Sequence, residues 1–166
     1  MEAKNKYHRI CIKCSFDSGI VELAAELQRR STIAIYNMDY ILLDSATGRY
    51  ARNIEQLKKA ASAMQQKEWF IISHNGDWGV MEAEVIVLLN PPILIRYYHH
   101  LKCCLGLASM RKVGLALMSI LAMPRMVDPK YESKQLSWLR TDRKTMWRLQ
   151  EFRSWKKALA WILDHT

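Results

Sequence analysis

Glycine and proline are scarce in this sequence, and no hydrophobic run is long enough to cross a membrane. Six glycines and four prolines in 166 residues exclude a collagen-like repeat and a low-complexity disordered chain. The best candidate for an apolar run, Val113–Met123, has 11 residues, whereas a membrane span needs about 18. The N-terminus leads into a polar stretch, so no signal peptide is predicted. These absences predict a single soluble domain in the cytoplasm, with no membrane partner.

The sequence has four cysteines, and they do not form a convincing metal site. Cys11 and Cys14 form a C-x-x-C pair, and His99-His100 with Cys103-Cys104 form a second cluster. A tetrahedral zinc site needs both thiolates on one side, but residues i and i+3 of a strand point to opposite faces. We interpret the cysteines as reduced, buried, small hydrophobic residues, and no metal or other cofactor is predicted.

The common patterns of catalytic residues are also missing. The chain has no G-x-S-x-G elbow, no glycine-rich phosphate loop and no pair of carboxylates in a cleft-like context. Ser73, His74 and Asp77 lie close in sequence, but adjacent loop residues rarely point at one another. No catalytic residue is therefore predicted, and binding is favoured over catalysis.

Hydrophobic periodicity predicts an α/β fold. Tyr7–Ser15 alternates with the period of a strand, and Trp69–Ile72 is a continuous apolar run, typical of a strand that is covered on both faces. Apolar residues at helical spacing predict helices that start near Ile20, Asn53, Pro91 and Ser154. Further predictions are a hairpin of Thr32–Tyr36 and Tyr40–Asp44, strands at Val113–Met118 and Thr145–Leu149, and either a strand or a helix within Met81–Leu89. Strands that alternate with helices indicate one domain with a mixed sheet.

The net charge of +9 is concentrated in the last third of the chain. Residues 1–100 carry 12 Lys+Arg and 11 Asp+Glu, whereas residues 101–166 carry 13 and 5. Such an asymmetry fits either a solvated basic face or a polyanionic partner. Tryptophans between cations can stack unpaired bases, and because Trp147 and Trp155 fall in the last predicted strand and helix, Trp138 is the free candidate. The residues of this alternative, a nucleic-acid interface, are Lys130, Lys134, Trp138, Arg140, Arg143 and Lys144.

Three segments carry a resemblance to a known family. Residues Gly48 to Glu55 follow the predicted hairpin and open a helix, Trp69 to Trp78 form a buried strand that ends in a polar loop, and Phe152 to Ile162 form a terminal helix that begins Phe-x-Ser. In this order and spacing, residues 31–166 resemble the SpoIIAA-like, STAS-type domains. The resemblance implies a small α/β domain with a central mixed sheet and helices mainly on one face. Residues 1–30 are then an N-terminal strand–helix extension.

The resemblance implies a non-enzymatic regulatory or interaction module. STAS-type domains usually bind a regulatory protein and sometimes a small ligand, and in the anti-sigma antagonists a serine after the central strand accepts phosphate. The matching loop here, Ser73–Gly79, departs from the family's Asp-Ser-x-Gly pattern, because Ser73 precedes the loop and Asn75-Gly76-Asp77 follow. The predicted partner is an unidentified protein.

The Ser73–Gly79 loop is the predicted docking site, since it leaves the central strand of the sheet. Between Asp77 and Gly79, Trp78 has little local cover and is expected to be an exposed interface anchor. The alternative is that Trp78 caps the core. The predicted partner-binding residues are Ser73, His74, Asn75, Asp77 and Trp78. Nine methionines and the Tyr97-Tyr98 pair leave a carrier of a small apolar ligand open, and the oligomeric state, including a homodimer, is also open.

Overall fold

The protein is an α/β fold, described here by a computed structural model for residues 6–15, 18–42, 54–74, 77–106 and 137–166. The described strands are β1 (Arg9–Cys14), β2 (Ile35–Asn37), β3 (Trp69–Ser73), β4 (Val85–Leu89) and β5 (Leu149–Phe152). The helices are α1 (Ile20–Arg30), α2 (Met38–Leu42), α3 (Ile54–Met64), α4 (Ile93–Gly106) and α5 (Trp155–Asp164). No helix in the described ranges is long and apolar enough to cross a membrane.

The five strands form one sheet in the order β2-β3-β1-β4-β5, and every pairing is parallel. The predicted α/β class is confirmed, but the described sheet is parallel rather than mixed. The difference arises at the predicted hairpin. The Asn37 side-chain oxygen accepts hydrogen bonds from the backbone N–H groups of Asp39 (3.1 Å) and Tyr40 (3.3 Å). This cap starts α2 directly after β2, so the second hairpin strand is a helix instead.

Helices cover both faces of the sheet, not mainly one. On one face, which we call the α1/α5 face, residues of β1, β3 and β4 pack against α1 and α5. On the other, the α2/α3 face, the same strands pack against α2 and α3. Strands β1, β3 and β4 are apolar at nearly every position, so both of their faces need cover.

Strand β1 lies at the centre of the sheet, although the sequence places it in an N-terminal extension. It pairs with β3 from Arg9 to Lys13 and with β4 from Ile10 to Cys14. The backbone N–H of Tyr7 also donates to the carbonyl of His165 (2.7 Å), which joins the two ends of the described chain. Strand β1 and helix α1 therefore form part of the same core as the other described elements of the α1/α5 face.

Other elements agree with the sequence or differ by a few residues. Helix α4 starts after Asn90-Pro91-Pro92 and ends at Gly106, as predicted, and the ambiguous segment contains strand β4. The last strand begins at Leu149 rather than Thr145, because Met146–Arg148 form a turn of 3-10 helix. Asn53 and the predicted strand Val113–Met118 lie outside the described residues.

Cys11 and Cys14 lie on opposite faces of the sheet, as the C-x-x-C spacing on a strand predicts. Cys11 belongs to the core of the α2/α3 face and Cys14 to that of the α1/α5 face, and both are buried. Burial raises the pKa of the Cys11 thiol to about 11 and that of Cys14 to about 12, because the thiolate is poorly solvated there. The side chains of Cys103 and Cys104 lie outside the described part of the chain.

We expect Cys11 and Cys14 to react slowly with iodoacetamide in the folded protein at mildly alkaline pH. Burial blocks access and keeps both thiols protonated, whereas the attacking species is the thiolate. Timed alkylation followed by peptide mass mapping, in buffer and in concentrated urea, measures the rate for each cysteine. Equal labelling of these two cysteines in buffer and in urea would contradict their burial.

Candidate functional site

A polar crevice lies where β1, β2 and β3 end and α1 begins. Its volume is about 210 Å³, and we call it the carboxyl-end crevice. It is lined by Cys14, Ser15, Gly19, Ile20, Val21, Glu22, Asn37, Asp39, Ile72, His74 and His99. Open parallel α/β sheets usually bind ligands beyond the carboxyl ends of their strands, so the crevice is a candidate binding site by position.

His74 forms the floor of the crevice at the end of β3. Its backbone N–H donates to a carboxylate oxygen of Asp39 (2.6 Å), and its ring Nδ1 lies 2.9 Å from the carbonyl oxygen of Cys14. Because a carbonyl can only accept, this contact requires the proton on Nδ1 and makes Nε2 the acceptor of the neutral ring. Asp39 and His74 thus connect the ends of β1 and β3 with the start of α2.

Helices α1 and α4 contribute a second carboxylate and imidazole, those of Glu22 and His99, beside those of Asp39 and His74. The ring Nδ1 of His99 lies 3.6 Å from a carboxylate oxygen of Glu22, close to the Gly19 turn that begins α1. Gly19 has a φ of 84°, and a Cβ there would lie 2.7 Å from a ring carbon of Trp155 and 3.4 Å from His99. The turn therefore needs glycine to bring α1 and His99 together. Two carboxylates and two imidazoles give the crevice groups for hydrogen bonding and ion pairing.

A larger apolar groove continues from the crevice between α1 and β2. Its volume is about 540 Å³, and we call it the α1–β2 groove. The two hollows share four lining residues, which are Ile20, Val21, Asn37 and Ile72. Further along, the groove is mainly apolar, with three polar residues among its walls, and is lined by Ala24, Ala25, Gln28, Ser31, Thr32, Ile33, Ala34, Ile35 and Tyr40. Two of its large side chains are unusually exposed, Val21 by 70% and Tyr40 by 76%.

The structure brings one of the predicted partner-binding residues, His74, into the crevice. Ser73 is buried on the α2/α3 face, where its hydroxyl accepts a hydrogen bond from the Nζ of Lys13 (3.2 Å), itself only 3% exposed. Asp77 is exposed, and Asn75 lies outside the described residues. Because Ser73 is covered in this structure, a partner at the crevice would not touch its hydroxyl.

Trp78 is half-buried rather than exposed, which matches its alternative role as a cap of the core. Its ring packs against the α2/α3 face, and its carbonyl oxygen lies 3.5 Å from the thiol of Cys11. Gly79 follows with a φ of 74°, and a Cβ there would come within 3.0 Å of Ile71. This close approach holds the loop down on the sheet.

The predicted nucleic-acid residues divide into packed and exposed positions. Trp138 is half-buried against the α2/α3 face, so it is not a free stacking ring. Arg140 is paired with Glu151, with nitrogen–oxygen distances of 2.6 and 3.2 Å, whereas Arg143 and Lys144 are exposed. Lys130 and Lys134 lie outside the described residues. The exposed ring is that of Trp147 (73%), because the strand that should contain it begins two residues later.

Glu22, Asp39 and His99 were not predicted from the sequence. Asp39 and Glu22 lie close to the ends of β2 and β1, at the carboxyl edge of the parallel sheet, and the predicted hairpin concealed that topology around Asp39. His99 lies within α4 and reaches the crevice through the packing of α4 near the Gly19 turn.

Comparison with known proteins supports the fold. The chain is similar to an uncharacterised protein from Eubacterium ventriosum ATCC 27560, with a TM-score of 0.53, 17% sequence identity and coverage of 93% of this chain and 95% of that chain. TT1252 from Thermus thermophilus gives a TM-score of 0.47 at 16% identity, over 96% of this chain and 98% of that chain. No protein-family model and no curated protein matches the chain.

We expect Trp78→Ala to lower the free energy of unfolding by about 1–3 kcal/mol, because it removes a half-buried ring from the core. Urea denaturation measures the loss. The matched control is Tyr98→Ala, since Tyr98 is an exposed aromatic residue on α4, and it should cost less than about 0.5 kcal/mol. An equally small cost for Trp78→Ala would instead restore Trp78 as an interface anchor.

Proposed function

We propose that the chain is a non-enzymatic interaction module that binds an apolar segment of a protein partner in the α1–β2 groove. The observation that carries the proposal is the continuity between this groove and the carboxyl-end crevice. An apolar segment can fill the groove, while a polar group at its end reaches the crevice. The resemblance to STAS-type domains points to the same class of regulatory, protein-binding module.

The rim of the groove has the composition of a protein interface. Val21 and Tyr40 stand on its two sides, on α1 and α2, and both expose most of their surface. Exposed apolar side chains beside a concave apolar surface are a common feature of interaction sites, and tyrosine is enriched among the residues that dominate binding energy. Tyr40 is therefore the expected main contact.

The free edge of the sheet offers a second type of contact. Strand β2 pairs with β3 on one side, and none of the described strands pairs with its other side. Backbone groups at such an edge can hydrogen-bond to an extended peptide, which adds main-chain affinity to the side-chain contacts. A partner segment in extended conformation satisfies both the edge and the groove.

The polar end of the crevice would select the partner's orientation. Asp39, His74, Glu22 and His99 can all accept or donate hydrogen bonds, so a polar or cationic group of the partner would be favoured there over an apolar one. Such groups contribute more to specificity and register than to affinity. The module would thereby distinguish among partners with similar apolar segments.

Site-specific photocrosslinking in the native host tests the proposal. A photoreactive residue at Val21 should crosslink to a protein partner, because Val21 stands on the rim of the groove. The matched control is the same residue at Leu57, which is exposed on α3 and thus on the opposite side of the sheet. Crosslinks from both positions alike, or from Leu57 alone, would contradict the proposal.

With the crosslinked partner identified, we expect Tyr40→Ala to weaken its binding by about 2 kcal/mol, as for a central aromatic contact. Calorimetric titration measures the affinity, and thermal denaturation should show an unchanged fold, since Tyr40 is 76% exposed. Tyr98→Ala is the control for the loss of an exposed aromatic ring. Unchanged affinity for the Tyr40 variant would remove the groove from the interface.

A small apolar ligand is the second candidate for the same groove. Its volume of about 540 Å³ lies within the range of about 300–1,000 Å³ that is usual for small-molecule sites. Native mass spectrometry of the protein from its own host distinguishes the two candidates. A bound small molecule that is lost in Val21→Asp would favour the carrier.

A further inference from the structure

A second surface lies at the opposite edge of the sheet, around the turn that precedes β5. Residues Met146–Arg148 form a single turn of 3-10 helix, and Trp147 and Met146 project from it with more than half of their surface exposed. A tryptophan that is 73% exposed is unusual, because tryptophan is highly buried on average. Trp147 does not line the carboxyl-end crevice, so a binding role of the crevice does not explain why this ring is exposed.

The backbone of this turn is held firmly. Thr145 is buried, and its hydroxyl donates to the carbonyl oxygen of Leu139 (2.9 Å). The carbonyl oxygen of Thr145 in turn accepts a hydrogen bond from the backbone N–H of Arg148 (3.0 Å). Trp147 thus projects from an ordered support rather than from a loose loop.

Arg148 holds the ring of Trp147 in place. The guanidinium carbon lies 5.5 Å from the centre of the indole ring, within the range of a cation–π contact. The guanidinium nitrogens donate to three backbone carbonyl oxygens, those of Lys144 (2.9 Å), Met81 (3.3 Å) and Ala83. Carbonyl groups satisfy the donors without neutralising the charge, so the site keeps its positive character.

The surroundings of Trp147 are basic. Residues 137–148 contain four cations, Arg140, Arg143, Lys144 and Arg148, and one anion, Asp142, so their net charge is 4 − 1 = +3. Arg140 is neutralised by Glu151, but Arg143 and Lys144 are exposed. Lys144 precedes the 3-10 turn, and its carbonyl oxygen accepts a hydrogen bond from the Nε of Arg148 (2.9 Å), the residue whose guanidinium contacts the Trp147 ring. Glu82 and Glu84 are the acidic residues of the neighbouring segment, and Glu84 pairs with Arg9.

We propose that this turn binds single-stranded nucleic acid, with Trp147 stacking on a base and Lys144 and Arg143 contacting phosphates. An exposed ring that is fixed in orientation, with cations beside it, provides the two elements of such sites, a stacking platform and charges that follow the backbone. Every base offers a flat face, so the site should tolerate many sequences. The basic charge argues against an apolar protein surface as the occupant.

Fluorescence polarisation with a labelled oligothymidylate at low salt tests the site. We expect binding that weakens steeply as salt is added, because phosphate contacts release counterions. Trp147→Ala should weaken binding by about 5- to 100-fold, and Trp147→Phe by less, since phenylalanine keeps a stacking face. Lys144→Ala should reduce the slope of the salt dependence by about one. Tyr98→Ala, which removes an exposed ring from α4, should leave binding unchanged.

Two results would overturn the proposal. The first is oligonucleotide binding that is equally strong in the unmodified protein, in Trp147→Ala and in Tyr98→Ala, since charge alone would then explain the binding. The other is a chain that sediments as a dimer, becomes a monomer in Trp147→Ala and binds no oligonucleotide, which would assign the ring to an interface between two copies. Circular dichroism checks that each variant is folded, and if Trp147→Ala is not, the pair Trp147→Phe and Trp147→Leu replaces it.

Discussion

The parallel pairing of β1 with β3 and β4 is the constraint on which the rest of the structure depends. These three strands are apolar on both faces, so each face has to be covered, by α1 and α5 on one side and by α2 and α3 on the other. Parallel strands also all end at the same edge. The helices that follow β1 and β2 therefore start close to that edge, and the first turns of α1 and α2 line the carboxyl-end crevice.

The polar groups at that edge provide hydrogen-bond partners for the polar groups at the ends of the buried strands. Lys13 would be a costly buried charge on the central strand, and the hydroxyl of Ser73 on the paired strand gives it a hydrogen-bond acceptor. His74 supplies a donor, the N–H at ring Nδ1, to the last carbonyl of β1, at Cys14. The aromatic stack of Tyr7, Trp161 and His165 ties the start of β1 to the last helix on the α1/α5 face. The first strand is thus secured at both of its ends.

The α/β class could be predicted from the sequence because it depends on the strongest patterns, the strand alternation of Tyr7–Ser15, the buried run at Trp69–Ile72 and the amphipathic helices α1 and α5. The replacement of the predicted hairpin strand by helix α2 could not be predicted, because it depends on Asn37. The residues that follow Asn37 have the composition of a strand, and two hydrogen bonds to its side chain turn them into a helix. The helix cap formed by Asn37 therefore outweighs the strand propensity of the residues that follow it.

The residues of the two candidate surfaces could also be predicted only in part from the sequence. His74 could be found from the sequence because it follows a strand that is easy to recognise, whereas Glu22 and His99 join the crevice only through the packing of α1 and α4 around Gly19. The exposure of Trp147 depended on a shift of a few residues in the start of β5, and Trp138 packs against the core of the α2/α3 face, which the spacing of tryptophans and cations did not reveal. Hydrophobic patterns locate the helices and strands well. The ends of these elements decide which side chains line the two candidate surfaces, and the ends are set by individual hydrogen bonds such as that of Thr145.

Parallel topology also separates the two surfaces. The α1–β2 groove runs along β2 at one edge of the described sheet, and the Trp147 turn precedes β5 at the other edge. A strand of four residues is only about 13 Å long, but the two surfaces differ in strand, edge and charge. One is apolar with a polar end that contains two carboxylates, and the other is aromatic and basic. Because the two proposed surfaces lie toward opposite edges of the described sheet, a partner bound at one would leave the other accessible.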